Sequence, residues 1–389
     1  MTAVQGRVAP GFEPVGEAFA AAFEGRPLMG GALAIRHHGE EVVSLWGGSA
    51  DARLDTPWTE GTASVIFSCT KGLVSILAAQ LVEQGRLDYE APVARYWPEF
   101  AQAGKGSVTV RQVLGHQAGL SAPRADLSFD DLLDWDVVTT HLAAQVPLWE
   151  PGTGYAYHAL THGWLAGELI RRITGQSVGA AFAQTIAGPL GASAWIGLPQ
   201  HHTGPVAHLQ VAPQLGGLWE AAAALDTADT PNWPYRAMTL GRALPAALVT
   251  PEGGFNDPRL QAAEVPAAGG IATAGALAAI WSATVTPTDG VTLLSPAMLD
   301  RATVTVTEGP PVFPAPPPYA RWGMGFQLDS AARRYITGRG FGHDGAGGQS
   351  AFADPDHQLG FAFLTNWMEA GEDRRATDII DALRDVLSA

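Results

Sequence analysis

Cysteine occurs once in this chain, at Cys69, so no disulfide can form within one copy and no cysteine-paired metal site can be built. Lysine is almost as scarce: Lys71 and Lys105 are the only two. Positive charge as a whole is in deficit, with 23 lysines and arginines against 38 acidic residues. The formal net charge of −15 argues against nucleic acid or an anionic membrane as a partner, and its plain use is solubility. No apolar run approaches the ~18 residues of a membrane span. Residues 1–7 lack the basic start and apolar core of a signal peptide, and Pro10 and Gly11 continue that misfit, so the expected location is cytoplasmic. There is no His-Glu-x-x-His pair and no repeat at a fixed period.

What is present is a well-packed composition, 47% hydrophobic and 16% charged over 389 residues, enough for one large domain or two to three smaller ones. Residues 11–24 read as an amphipathic helix. Two apolar runs, 31–36 and 41–46, flank His37-His38-Gly39-Glu40 and predict a β-hairpin turning at Gly39. Leu73, Ile76, Leu77, Leu81 and Val82 recur at helical spacing over 70–84, with Gly85 as the stop. Residues 86–200 read as mainly helical, with helices over 108–114, 129–148 and 160–173 and a loop at Trp149-Glu150-Pro151-Gly152-Thr153-Gly154. The Pro- and Gly-rich stretch 200–268 is too long for a plain connection and is expected to cover a site or hold short helices. A helix is expected to open at 267–271 and run to about Ala283. After the loop 309–318, strand-like runs follow at 323–328, 334–337, 348–353 and 360–366, and a last helix spans 373–387. Strands at both ends with helices between them predict an α+β fold. Its antiparallel sheet would come from 1–85 and 265–389, and 86–264 would form a mainly helical domain with 200–264 as a cap-like segment.

Ser68-Cys69-Thr70-Lys71-Gly72 is the stretch that carries chemistry. A serine at a helix start usually serves as an N-cap. Here one of the two lysines follows three positions later, on the same helix face. That spacing can set an amine base beside a weak oxygen nucleophile. Apolar neighbours (Val65–Phe67, Leu73, Val74) point to a partly buried amine, and burial lowers a lysine pKa toward the neutral form a base requires. A proton shared between Lys71 and a tyrosine is the other possibility. Cys69 reads as a small buried filler. Pro151-Gly152-Thr153-Gly154-Tyr155-Ala156-Tyr157-His158-Ala159 can present Tyr157, or its competitor Tyr155, from a helix start into a cleft. A phenol suits the acid/base role if a lysine cation depresses its pKa. Gly340-Phe341-Gly342-His343-Asp344-Gly345-Ala346-Gly347-Gly348 lets a backbone run close to a ligand and offer an N–H opposite Ser68. His158, His162, His201, His202 and His208 fit surface or capping positions, and no metal is expected.

Ser68-x-x-Lys71, the downstream Tyr157 and His343-x-Gly345 resemble the serine β-lactamase and penicillin-binding-protein superfamily. The closest resemblance is to its family VIII carboxylesterase branch, related to the class C β-lactamases. Leu114-Gly115-His116-Gln117-Ala118-Gly119-Leu120, Trp149-Glu150-Pro151-Gly152-Thr153 and Gly269-Gly270-Ile271-Ala272-Thr273-Ala274 match further segments of that family in the right order. The resemblance implies a β-lactamase-like fold, Ser68 as acylated nucleophile and Lys71 with Tyr157 as the proton-transfer pair. It implies backbone N–H groups of Ser68 and Ala346 as the oxyanion hole. His343, Gly345, Leu120, Trp149 and Ala159 become candidate substrate contacts, and Trp149, Trp233, Trp322 and Trp367 candidate walls. No cofactor is implied, and the partner is a small-molecule ester.

Two departures bear on substrate. Ala159 stands where Tyr-x-Asn enzymes carry asparagine. His343 stands where a Lys-Thr-Gly motif carries a permanent cation, and histidine is mostly neutral near pH 7. Both changes fit neutral esters better than β-lactams. The expected activity is therefore a carboxylesterase for short-chain or compact acyl groups. A β-lactamase, a D-amino-acid peptidase or amidase, and an acyltransferase are the alternatives within the enzyme class. A catalytically idle binding protein on the same fold is the contrasting one.

Overall fold

The hairpin forms where the pattern places it. Strands Gly30–His37 and Glu40–Asp51 are joined by His38 and Gly39, whose φ values of 54° and 85° make the tight two-residue turn that matches strand twist. The computed structural model describes residues 2–371 and 373–388. Its main sheet has nine strands. The order across it is Val4–Val8, Glu40–Asp51, Gly30–His37, Leu359–Thr365, Ser350–Asp354, Phe341–Asp344, Gln327–Leu328 and Arg321–Trp322, with Thr56–Pro57 beside Glu40–Asp51. All of these pairings are antiparallel. The two chain ends meet at the centre, where Ile35 pairs with Phe361 and Leu33 with Phe363.

Alternation along these central strands sorts side chains by size. Leu33, Ile35, Phe352, Phe361 and Phe363 face the terminal helices Glu13–Ala21 and Arg375–Ser388, which bring Val15, Phe19, Ile379 and Leu383 to the same core. Ala32, Ala34, Ala351, Ala353 and Ala362 point the other way, into the larger core. Small residues there let the helix Ala274–Ser282 lie close; a Cβ at Gly360 would stand 2.3 Å from the Ala278 carbonyl oxygen. The helix Cys69–Glu83 is buried nearly all round, and a Cβ at Gly72 would stand 2.4 Å from the Trp281 ring.

Several expectations need correction. The segment 267–271 is not a helix start: Gly270–Ala272 is the middle strand of a three-stranded sheet between Ser64–Val65 and Ala194–Ile196. The reason is tertiary. The Gly270 N–H donates to Thr70 Oγ1 at 2.9 Å and its carbonyl accepts from Ile66, so the helix waits for its Thr273 cap. The helix expected over 129–148 breaks at Asp134, whose carboxylate caps the second half, Trp135–Ala144. Residues 334–337 form no strand; Tyr335 and Thr337 donate their N–H groups to Asp329 and Asp354 instead. The stretch 200–268 holds helices Pro213–Ala224, Trp233–Thr239 and Pro258–Ala262. Among the described residues no helix is long and apolar enough to cross a membrane.

Candidate active site

Ser68 sits at the first turn of Cys69–Glu83, in right-handed helical geometry and without a side-chain cap bond. The N-cap explanation for this serine therefore fails. The residue before it, Phe67, has φ 43°, a left-handed conformation that bulky side chains rarely adopt, locked by its ring against Phe255 at 5.0 Å. Strain at that joint turns the chain sharply and delivers the Ser68 hydroxyl to the open end of the helix.

Lys71 is fully buried one turn on. Its Nζ lies 2.6 Å from the Ala159 carbonyl oxygen, 3.0 Å from that of Ala267 and 3.1 Å from Ser68 Oγ. A neutral amine has two N–H donors and one lone pair. The two carbonyls can only accept, so they take two N–H groups, and in the neutral form the lone pair is what then faces the serine hydroxyl. Burial pushes the Lys71 pKa well below its ordinary value of 10.5, in the same direction. The other lysine makes the contrast. Lys105 Nζ donates to three carbonyls, those of Gln102, Ala143 and Gln145, which takes three N–H groups and hence the ammonium form. Burial lowers its pKa only to about 8.

The two tyrosines separate cleanly. Tyr155 donates its hydroxyl to the Gly309 carbonyl at 2.6 Å, away from Ser68. Tyr157 lines the same cavity as Ser68, with its ring 4.8 Å from Lys71 Nζ and its hydroxyl 3.5 Å from His343 Nε2. It lies on an extended segment ahead of the helix Thr161–Thr174, not at the helix start. The expected depression of the phenol pKa is absent. Burial raises it and the contact with Ser68 lowers it by less, so the phenol keeps its proton at neutral pH, while burial moves the Lys71 amine the other way, toward its neutral form.

The cavity, of about 260 Å³, is lined by Ser68, Tyr157, Met238, Trp322, Gln327, His343, Asp344, Gly345 and Ala346. His343 ends in an edge-on contact: its Nδ1–H donates to the Asp344 carbonyl at 2.7 Å, which leaves Nε2 as an acceptor 3.5 Å from the Tyr157 hydroxyl. Burial first, then the neighbouring Lys71, drive its pKa down to about 3, so it is uncharged at neutral pH. The loop after it is held by Gln349. That side chain accepts from the Gly347 N–H at 3.0 Å and donates to the Thr365 carbonyl at 2.7 Å. Among the described residues neither the Ser68 nor the Ala346 N–H donates a hydrogen bond to another group of the chain.

Three sequence candidates lie outside the cavity. Leu120 is fully buried and gives its N–H to His158. Trp149 donates to the Gly154 carbonyl and packs on Phe313, bracing the 150–154 loop. Ala159 acts through its carbonyl on Lys71, while its methyl packs with Ala122 and Ala237. Of the four tryptophans Trp322 lines the cavity, Trp233 sits behind Ala237, and Trp367 packs on the terminal-helix side. Met238, Gln327 and Asp344 were not singled out by sequence; a methionine after a Pro-rich stretch carries no motif. Cys69 is a filler: its thiol, with a pKa raised by burial, donates to the His343 carbonyl.

One serine pattern is easily overlooked. Gly175-Gln176-Ser177-Val178-Gly179 has the Gly-x-Ser-x-Gly spacing of an α/β-hydrolase elbow. Here it joins two helices, and Ser177 Oγ caps Ala180 N–H and donates to Glu264. Its hydroxyl is committed to these two hydrogen bonds, so it serves as a helix cap.

The Beta-lactamase family profile matches residues 17–385. The chain belongs to that family. It is 36% identical over 372 residues, 93% of its length, to Esterase/beta-lactamase LipL of Mycobacterium tuberculosis, of which 83% is covered. Among solved structures, a family VIII carboxylesterase superposes with a TM-score of 0.86 at 35% identity, covering 99% of this chain and 100% of the other. EstA from Arthrobacter nitroguajacolicus Rue61a follows the same path with a TM-score of 0.83 at 31% identity, over 99% of both chains. The α+β architecture expected from sequence is thus the β-lactamase-like fold.

Proposed function

We propose that this family member is a serine carboxylesterase acting on short-chain or compact, uncharged acyl esters. The observation that carries the reading is the placement of a fully buried amine: two carbonyls fix Lys71 Nζ 3.1 Å from the Ser68 hydroxyl, where its neutral form presents a lone pair. Ser68 Oγ attacks the ester carbonyl carbon as its proton passes to Lys71 Nζ. The unpaired N–H groups of Ser68 and Ala346 receive the oxyanion. Collapse breaks the ester C–O bond, the Tyr157 hydroxyl protonates the departing alkoxide, and the proton held by Lys71 restores the phenol. Water then repeats the sequence on the acyl-enzyme and releases the acid. In this reading 1–85 with 265–389 supplies Ser68, Lys71 and His343, and the mainly helical 86–264 supplies Tyr157 and Met238.

The cavity favours neutral substrates. No cation faces it, because His343 is uncharged, and no side-chain amide stands at 159. Trp322 and Met238 offer apolar walls to an acyl chain. The test is hydrolysis of p-nitrophenyl butyrate beside a chromogenic cephalosporin, with fluorophosphonate labelling mapped by mass spectrometry. Ester turnover should exceed lactam turnover in kcat/KM by at least ~10²-fold, with the adduct on Ser68. Dominant lactam turnover, or an adduct on another serine, overturns the proposal.

Charge at 343 gives a second prediction. His343→Lys introduces an ammonium at the cavity wall, where one like-sign or opposite-sign contact is worth roughly tenfold. The ratio of cephalosporin to ester kcat/KM should rise about that much at low salt and fall back on adding NaCl. A ratio unchanged from the wild type would show that this position does not read substrate charge.

A further inference from the structure

His116 belongs to the Leu114–Leu120 segment, touches neither the cavity nor Ser68, and yet is completely buried in a left-handed conformation, φ 63°. A non-glycine residue held there stores strain that packing or function must offset. Its contacts converge on one place. The His116 carbonyl accepts the Ala156 N–H at 3.3 Å. Its Nδ1 accepts the His158 N–H at 3.2 Å. Its ring packs against the Tyr157 ring with centroids 5.0 Å apart. Thus the residues on both sides of Tyr157, and the phenol itself, rest on one histidine, Ala156 on its carbonyl and the other two on its ring.

The second layer repeats the pattern. His158 Nδ1–H donates to the Ala156 carbonyl at 2.7 Å, and Nε2 accepts from the Leu120 N–H at 3.2 Å. Both ends of the His116–Leu120 segment therefore grip residues 156–158. Trp322 completes the cluster, stacked on Tyr157 at 5.2 Å and 19° and in a T-shaped contact with His116 at 4.7 Å. Tyr157 has no helix or strand to hold it. Residues 154–158 carry no regular secondary structure, so these contacts supply the rigidity that a helix or strand otherwise gives. His158 and His162, read from sequence as surface or capping residues, are fully buried in this same cluster.

We infer that His116 is a positioning residue that fixes the Tyr157 hydroxyl at Ser68, an inference that rests on Tyr157 being the proton donor proposed above. It does so as a hydrogen-bond acceptor and backbone brace, not through proton transfer.

A double-mutant cycle on the full chain tests this. His116→Gly keeps the left-handed backbone and removes the acceptor and ring. Its kcat on p-nitrophenyl butyrate should fall about 10²-fold with KM within about threefold, the cost of a misplaced catalytic group. Tyr157→Phe should fall about 10³-fold. The double variant should fall no further than Tyr157→Phe, because without the hydroxyl there is nothing left to position. His116→Asn should recover kcat to within about tenfold of wild type, since asparagine tolerates positive φ and offers Oδ1 to the His158 N–H.

Losses that multiply in the double variant, or a His116→Gly enzyme with wild-type kcat beside a crippled Tyr157→Phe, overturn the positioning role and leave the esterase mechanism standing. Wild-type kcat in Tyr157→Phe overturns the proton-donor assignment and the inference with it. Should His116→Gly fail to fold, His116→Asn carries the test. If it melts like the wild type but turns over as slowly as Tyr157→Phe, the inference is wrong.

Discussion

Ser68→Ala is expected to lower kcat for p-nitrophenyl butyrate by roughly 10⁵-fold, the scale on which losing an acyl-transfer nucleophile acts. The loss should come without a loss of fold. The Ser68 hydroxyl caps no backbone N–H, so the helix Cys69–Glu83 keeps its own bonds when the oxygen is removed. The thermal midpoint should stay within a few degrees of wild type, and the fluorophosphonate adduct should vanish. Gly-x-Ser-x-Gly at 175–179 offers an internal control: Ser177→Ala should leave turnover intact, because that serine caps a helix, donates to Glu264 and lines no part of the cavity at Ser68. Retention of more than a few per cent of ester turnover in Ser68→Ala would sink the mechanism.

Lys71→Met should lower kcat by about 10⁴-fold, with a smaller loss of stability than breaking two buried hydrogen bonds alone would cause. Methionine follows the same unbranched path but has no lone pair for the Ser68 proton. The carbonyls of Ala159 and Ala267 lose their donors, at about 1–3 kcal/mol each. Against that, burial penalises the charged form of the wild-type amine, and the variant is relieved of that cost. The variant's thermal midpoint should therefore fall at pH 7 by less than the two lost hydrogen bonds alone would cost. The sign with pH follows from linkage. A lysine whose folded pKa is lowered makes the unfolded state bind more protons between the folded value and 10.5, so wild-type stability rises with pH across that window. The variant's relief should be greatest on the acid side and shrink as the pH approaches 10.5. Wild-type turnover should fall on the acid side for the same reason, as Lys71 takes up a proton and loses its lone pair. A variant that loses the full cost of both hydrogen bonds at pH 7, or a wild-type rate that stays flat into acid, would show that Lys71 rests as an ammonium.

The parts of the site that were legible in the sequence were those written in short-range spacing. Ser68 and Lys71 are one helical turn apart, so any helix over 69–83 puts them on one face. The turn at His38-Gly39 and the helix stop at Gly85, with φ 69°, are equally local, because positive φ selects the residue. Where the reading went astray, a distant partner had taken over the local preference. Gly269-Gly270 resembled a helix start, but Thr70, 200 positions away in sequence, claims the Gly270 N–H. The 334–337 run has strand composition, but Asp329 and Asp354 capture its N–H groups. His158 has the polarity of a surface residue, yet both ring nitrogens are satisfied inside, by Ala156 and Leu120. A polar side chain is cheap to bury once every donor and acceptor has a partner, and composition does not reveal partners.

By itself, then, the sequence determined the pairing of Ser68 with Lys71, the central hairpin and the motif order that marks the family. Each depends on φ preferences or on positions a few residues apart. Only the tertiary structure decided the setting of that pair, the choice between the two tyrosines and the walls of the cavity. Carbonyls of residues 159 and 267 hold the Lys71 amine in place, and burial lowers its pKa. Tyr157 is chosen because residues 116 and 322 enclose it, while Tyr155 turns to Gly309. Burial and hydrogen-bond count set protonation state and orientation, and both are sums over neighbours that the chain brings together only by folding.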